Sequence, residues 1–191
     1  MTNPLLEDWT TPFGLPPFDR ITDDDFGPAV DAALDEARAT IAQIAGNDEP
    51  PTFGNTIEAL ERADTRLGQV LGAFFALAGA DSNEARQALQ RDFAPKLSAY
   101  GSEITSNRAL FDRIETLWQA RDDLGLADEQ ARVLMLTRRG FVRAGAQLEG
   151  AEADRLKEVK SRLAVLGTNF TQNLLADEKE WEMKLSEADL E

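Results

Sequence analysis

The sequence predicts an all-α fold: a bundle of about six helices, several of them long, with an extended proline-rich arm at the N terminus and a short orphan strand near the C terminus. Three observations predict it. Apolar residues recur at three-to-four spacing through most of the chain. Capping residues and Gly or Asn stops divide that pattern into helix-length pieces. Period-two alternation is confined to residues 181–185.

Residues 1–21 form the arm, because Pro4, Pro12, Pro16 and Pro17 block regular helix. Trp9, Phe13 and Phe18 give it the apolar surface to pack on a body. The body spans residues 22–180. Thr22 caps the first helix, whose stripe is Phe26, Val30, Ala33, Ala37, Ile41 and Ile44, with Gly46-Asn47 as its stop. Asp23, Asp24 and Asp25 resemble a metal cluster, but consecutive acids at a helix start point in different directions and complement the helix dipole.

Pro50-Pro51-Thr52 connects to a second helix from about Asn55 to Ala80. Its stripe is Ile57, Leu60, Leu67, Leu71, Phe74 and Ala78, widened by Val70, Phe75 and Leu77, so burial on more than one side is expected. Gly68, Gly72 and Gly79 cost helix propensity there, and close approach of a neighbouring helix is the expected return. Asn83 precedes a third helix to about Thr105, and Asn107 a short fourth carrying Leu110, Phe111, Ile114, Leu117 and Trp118. A fifth spans about Ala127 to Leu148. A sixth runs from about Ala151 to Glu178 with Leu156, Val159, Leu163, Leu166, Phe170 and Leu174 in register. Trp181, Met183 and Leu185 then alternate with polar residues. A lone strand cannot satisfy its own backbone, so residues 181–191 read as the truncated start of a further region.

Composition excludes whole classes of chemistry. The chain has no histidine and no cysteine, so it holds no Ser-His-Asp triad, no Cys-His dyad and no ordinary zinc hydrolase site. Gly-rich phosphate loops are absent. Carboxylate pairs such as Asp31 with Asp35 and Glu178 with Glu182 are what so acidic a chain produces by chance. The catalytic assignment is therefore none, and no metal or cofactor is expected in this chain. A net charge of −15 repels phosphate backbones and argues against nucleic-acid partners. No apolar run approaches the roughly 18 residues of a membrane span, and Met1–Asp8 lacks the basic and apolar regions of a signal peptide, so a cytoplasmic protein is expected, with no membrane partner.

One polar feature stands out. Arg132, Arg139 and Arg143, seven and four residues apart, share a stripe of the fifth helix opposite an expected core face of Val133, Leu134, Gly140, Phe141, Ala144 and Leu148. Guanidinium groups bind carboxylates bidentately, so the stripe is the candidate substrate-binding site for a peptide carboxylate. Its plain alternative is salt bridging to neighbouring helices. Asn169, Gln172 and Asn173 form a second polar cluster on the sixth helix.

Several segments, in order, carry a family resemblance: Asn3-Pro4-Leu5-Leu6, Leu15-Pro16-Pro17-Phe18, Thr52-Phe53-Gly54-Asn55-Thr56-Ile57-Glu58-Ala59-Leu60-Glu61, Phe74-Phe75-Ala76-Leu77, Leu124-Gly125-Leu126, Arg139-Gly140-Phe141-Val142-Arg143-Ala144-Gly145-Ala146 and Phe170-Thr171-Gln172-Asn173-Leu174-Leu175-Ala176-Asp177-Glu178. Together they resemble the N-terminal region of the thimet-oligopeptidase-like zinc metallopeptidases. The middle segments are most similar to the peptidyl-dipeptidase branch, the opening residues to the oligopeptidase A branch. Gly54 departs from the family, which commonly has Glu there.

The resemblance implies a protein several times longer, with one zinc held by His-Glu-x-x-His and a later Glu beyond Glu191. It implies short peptides as substrates, the missing catalytic domain as partner, and for this chain a place in the wall of a substrate channel. A stand-alone acidic helical module that binds a protein partner is the alternative the sequence allows.

Overall fold

The computed structural model describes residues 3–182. They are helical, with six longer helices, no strand among them, and no helix long and apolar enough to cross a membrane. The chain divides into two units, Met1–Ala146 and Gln147–Glu191.

In the first unit, α1 (Asp23–Ala45) is the spine of two apolar clusters. Its start is fixed as its residues dictate: Asp25 Oδ2 accepts from the Thr22 amide (2.7 Å) and hydroxyl (2.8 Å). Phe26, Val30 and Leu34 enter one cluster with Leu67, Val70 and Phe74 of α3 (Thr65–Ala80) and Phe93 of α4 (Glu84–Thr105). Phe74 meets Phe26 and Phe93 edge-on, at 5.1 and 4.9 Å between centroids. Ile41 and Ile44, near the other end of α1, enter the second cluster with Ile57, Leu110, Ile114, Leu134 and Phe141.

Three ion pairs tie α1 to α4: Asp23–Arg86 (2.7 Å), Asp31–Lys96 (2.7 Å) and Arg38–Glu103 (2.8 Å). The numbers rise together, so these helices run parallel, with α3 antiparallel beside α1, placing Arg66 at Glu36 and Phe74 at Phe26. The aspartate start of α1 thus has a tertiary use beyond the helix dipole: Asp23 also accepts from Asn83 Nδ2 at 2.8 Å, and these bonds hold its carboxyl below the usual range. Asp31 and Asp35 are likewise engaged, by Lys96 and Arg38.

The second predicted helix is not continuous. It begins as a π-helical segment (Phe53–Glu58), continues as one turn, α2 (Ala59–Arg62), and breaks at Ala63-Asp64 before α3. The break is where the chain passes from one cluster to the other: Ile57 and Ala63 belong to the second, Leu67 and Val70 to the first. Burial of α3 is also narrower than the stripe predicts, since Phe75 is 47% exposed beside the fully buried Phe74. Its glycines admit no neighbour either. A methyl group at Gly68, Gly72 or Gly79 would meet nothing within 4 Å, so the expected close approach of a helix is not found among the described residues.

The N-terminal residues form two short turns, Pro4–Leu6 and Pro12–Gly14. Leu5 is fully buried, Asn3 Nδ2 donates to the Asp25 carbonyl at 2.7 Å, Trp9 Nε1 to the Pro4 carbonyl at 3.2 Å, and Arg66 to the Leu6 carbonyl at 3.0 Å. Phe13 behaves differently: it is 99% exposed, with φ 62°, a region that a bulky residue rarely occupies.

The second unit is described by one helix, α7 (Gly150–Glu180). Trp181 follows in an extended conformation, while residues 183–185 of the expected strand lie outside the described residues.

Candidate functional site

The candidate site lies on α6 (Asp128–Ala144), which pairs antiparallel with α5 (Arg108–Gln119). Asn107 starts α5 by accepting from the Leu110 amide at 3.0 Å, and Gly145, at φ 103°, ends α6 in the left-handed conformation that glycine tolerates. Leu134 and Phe141 bury one face of α6, with Phe141 stacked on Phe111 at 6.1 Å. That fixes the opposite face outward, and Arg132, Arg139 and Arg143 stand on it, all exposed. None of the three makes an ion pair among the described residues. Leu136, 38% exposed, sits between Arg132 and Arg139 on the same stripe. The arrangement offers guanidinium groups around a small apolar spot, a surface able to take a carboxylate with an apolar group beside it.

The salt bridge that sequence reasoning weighed for this stripe belongs instead to its neighbour Arg138. Arg138 bonds Glu115 of α5 through Nε–Oε2 (2.7 Å) and Nη2–Oε1 (3.2 Å). Its guanidinium also lies 5.0 Å from the Trp118 ring centre, and that of Arg121 lies 4.6 Å away. These bonds, chiefly that from Arg138, hold the Glu115 carboxyl below the usual range. One residue of offset on the helix, about 100°, separates the locked arginine from the open ones.

A second residue that sequence reasoning missed is Arg113, buried in the apolar face of α5. Its Nη1 donates to the carbonyls of Asn47 (2.7 Å) and Glu49 (3.1 Å), and its Nη2 to Asn55 Oδ1 (2.9 Å). Asn55 meanwhile is the capping-box partner of Thr52, the N-cap of the π-helical segment, exchanging bonds with it at 2.8 and 3.0 Å. The available signal was a base on an apolar stripe, between Leu110 and Ile114. Asn169, Gln172 and Asn173 are exposed on α7. Among the described residues no group of three acidic, His or Cys side chains could hold a metal ion.

The described residues are thus mainly helical, and sequence comparison says what kind of protein carries such a sequence. No family model matches the chain. It is 39% identical over 178 residues to the dipeptidyl carboxypeptidase of Salmonella typhimurium and 38% identical over 177 residues to that of Escherichia coli. It is 29% identical over 182 residues to oligopeptidase A of Escherichia coli. These alignments take in 93%, 93% and 95% of this chain but only 26% of each relative, so it spans about a quarter of the length of the curated relatives it matches. The chain is homologous to the N-terminal region of the dipeptidyl carboxypeptidase and oligopeptidase A peptidases.

Proposed function

We propose that the chain is the non-catalytic N-terminal helical domain of a cytoplasmic zinc-dependent peptidase, a peptidyl-dipeptidase or oligopeptidase, and forms part of the wall of its substrate channel. The observation that carries this is the alignment, nearly the whole chain against about a quarter of each relative. In this reading residues 1–21 are the arm, residues 22–180 the helical domain, and residues 181–191 the start of the next region.

Zinc does not fit the residues present. The chain lacks His and Cys, and no acidic cluster among the described residues is arranged as a ligand set. The metal and its chemistry belong to the part of the protein outside these residues, and this domain supplies shape and contacts. Arg132, Arg139 and Arg143 are the contacts we assign to peptide substrate. Their exposure and lack of ion pairs among the described residues support that role over a structural one, since cations already engaged are not available to a ligand.

Reading the source gene beyond the codon for Glu191 tests the proposal. A frame that continues into His-Glu-x-x-His is expected. A frame that continues without any such motif would overturn it.

A further inference from the structure

A cavity of about 270 Å³ opens between the π-helical segment with α2 and the first turns of α6, all of it within the first unit. Ile57, Phe53 and Val133 form its floor, the first buried and the other two packed against the second apolar cluster. Glu58 and Glu61 stand on one wall and Glu129 on the other, with Arg62 the one base among the lining residues. The first wall is braced from within the fold, because Arg113 holds Asn55 and Asn55 holds Thr52 at the start of the segment that carries Phe53 and Ile57.

Helix electrostatics explains only part of this acidity. Glu129 lies in the first turn of α6, where the positive helix end favours a carboxylate. Glu58 is paired with Arg62, at 3.8 Å. Glu61 has neither reason to be there. It sits in the last turn before the break at Ala63-Asp64, where the negative helix end disfavours a carboxylate, and it makes no ion pair among the described residues. A local rule broken beside a cavity marks use rather than stability.

Size and lining define the ligand. The cavity falls just below the roughly 300 Å³ at which small-molecule pockets begin, so it suits a single side chain. An apolar floor under a carboxylate rim matches an alkyl stem that ends in a cation, the build of lysine and arginine. An N-terminal ammonium has the charge without the stem. Position then ties the cavity to the open arginines. At about 100° per residue, Glu129 and Val133 lie on the side of the arginine stripe that Leu136 occupies. From Glu129 to Arg139 and Arg143 the helix rises about 15 and 21 Å, the span of roughly four to six extended residues.

We propose that this cavity binds the side chain of a lysine or arginine in a peptide substrate whose C-terminal carboxylate, four to six residues further on, is held by Arg139 and Arg143. This rests on the reading of the chain as part of a peptidase with substrate on the α6 arginines. Phe53, Ile57 and Val133 take the stem, and Glu61 and Glu129 take the charge.

Calorimetric titration of the full-length protein, with a zinc chelator present so that binding is read without cleavage, tests it. The probes are N-acetylated peptides with a free C-terminal carboxylate that carry lysine or norleucine four, five or six residues before the last and are otherwise identical. Lysine should bind about threefold to tenfold more tightly at one or more of these positions, and Glu61→Gln with Glu129→Gln should erase the difference. Both glutamates are exposed, so the double variant keeps the fold, and its unfolding midpoint checks that. Equal affinity for lysine and norleucine at all three positions, or a preference that survives in the double variant, would overturn the proposal. So would a norleucine peptide with a free N-terminus that binds as tightly as the lysine peptide, which would give the cavity to the terminal ammonium. Hydrolysis is assayed separately without the chelator. A lysine preference in a protein that cleaves nothing refutes the peptidase reading alone, and cleavage without the preference refutes the cavity alone.

Discussion

The guanidinium of Arg138 holds the carboxylate of Glu115 by two bonds, 2.7 and 3.2 Å, while its plane approaches the ring of Trp118. This one contact clasps α6 to α5, and both side chains are about three-quarters buried. It adds to the burial of Leu134 and Phe141, which sets the rotation of α6 and so presents Arg132, Arg139 and Arg143 outward. Breaking it by Arg138→Ala should cost about 1–3 kcal/mol, because a partly buried carboxylate then loses its charge-assisted partner. Thermal or urea unfolding followed by circular dichroism measures that loss, and a change within about 0.5 kcal/mol, as at ordinary surface positions, would contradict it.

Acid should loosen the same clasp. Glu115 and Asp23 both titrate below their ordinary values, Glu115 chiefly through Arg138 and Asp23 through Asn83 and then Arg86. A carboxyl whose pKa is lowered by folding stabilises the fold above its unfolded pKa, and that contribution disappears as pH falls through the lowered value. Stability should therefore be flat with respect to these groups near neutrality and decline below about pH 4.5, the ordinary value for Glu115. Glu115→Gln should flatten part of that decline, and a wild-type acid limb unaffected by the substitution would contradict the assignment.

Arg113 predicts an effect of similar size. It is buried and joins α5 to the Asn47–Asn55 connector through two backbone carbonyls and Asn55. Arg113→Met should cost about 1–3 kcal/mol, because three acceptors in partly buried hydrogen bonds lose this donor at once. Arg113→Lys should recover only part of that, since an ammonium cannot reproduce the planar fork. Unfolding midpoints of the two variants decide the matter, and equal midpoints would contradict the geometric argument.

The neighbouring phenylalanines of α3 give a paired test. Phe74 is fully buried against two other rings, and Phe75 is half exposed. Phe74→Leu should cost roughly 1–2 kcal/mol, and Phe75→Leu under about 0.5 kcal/mol. Denaturant midpoints of both variants give the comparison, and equal losses would place the α3 core face elsewhere.

These neighbours also show how far the sequence could be read. Helix starts were legible because capping is local: Thr22, Asn83 and Asn107 stand at the starts of α1, α4 and α5. The break at Ala63-Asp64 was not, because the apolar spacing runs through it without Gly or Pro and its cause is a change of tertiary partner. Phe74 and Phe75 were both read as core, since apolar character says nothing about which of two adjacent residues finds a neighbour. The arginines follow the same logic. The stripe on α6 was visible in the spacing, but which arginine pairs depended on Glu115 and Trp118, residues of another helix.

If the open arginines meet substrate, their loss should be felt in binding. In the full-length protein Arg139→Ala and Arg143→Ala should raise KM for peptides with a free C-terminal carboxylate by about threefold to tenfold, with kcat and the unfolding midpoint unchanged. Amidated peptides should show no such difference between wild type and variants. Unchanged kinetics with both kinds of peptide would remove the substrate role.

The most direct measurement is hydrolysis of a short peptide by the full-length protein and, separately, by residues 1–191. The account predicts cleavage by the former, abolished by a zinc chelator, and none by the latter. Cleavage by residues 1–191 alone, or an inactive full-length protein, would contradict it.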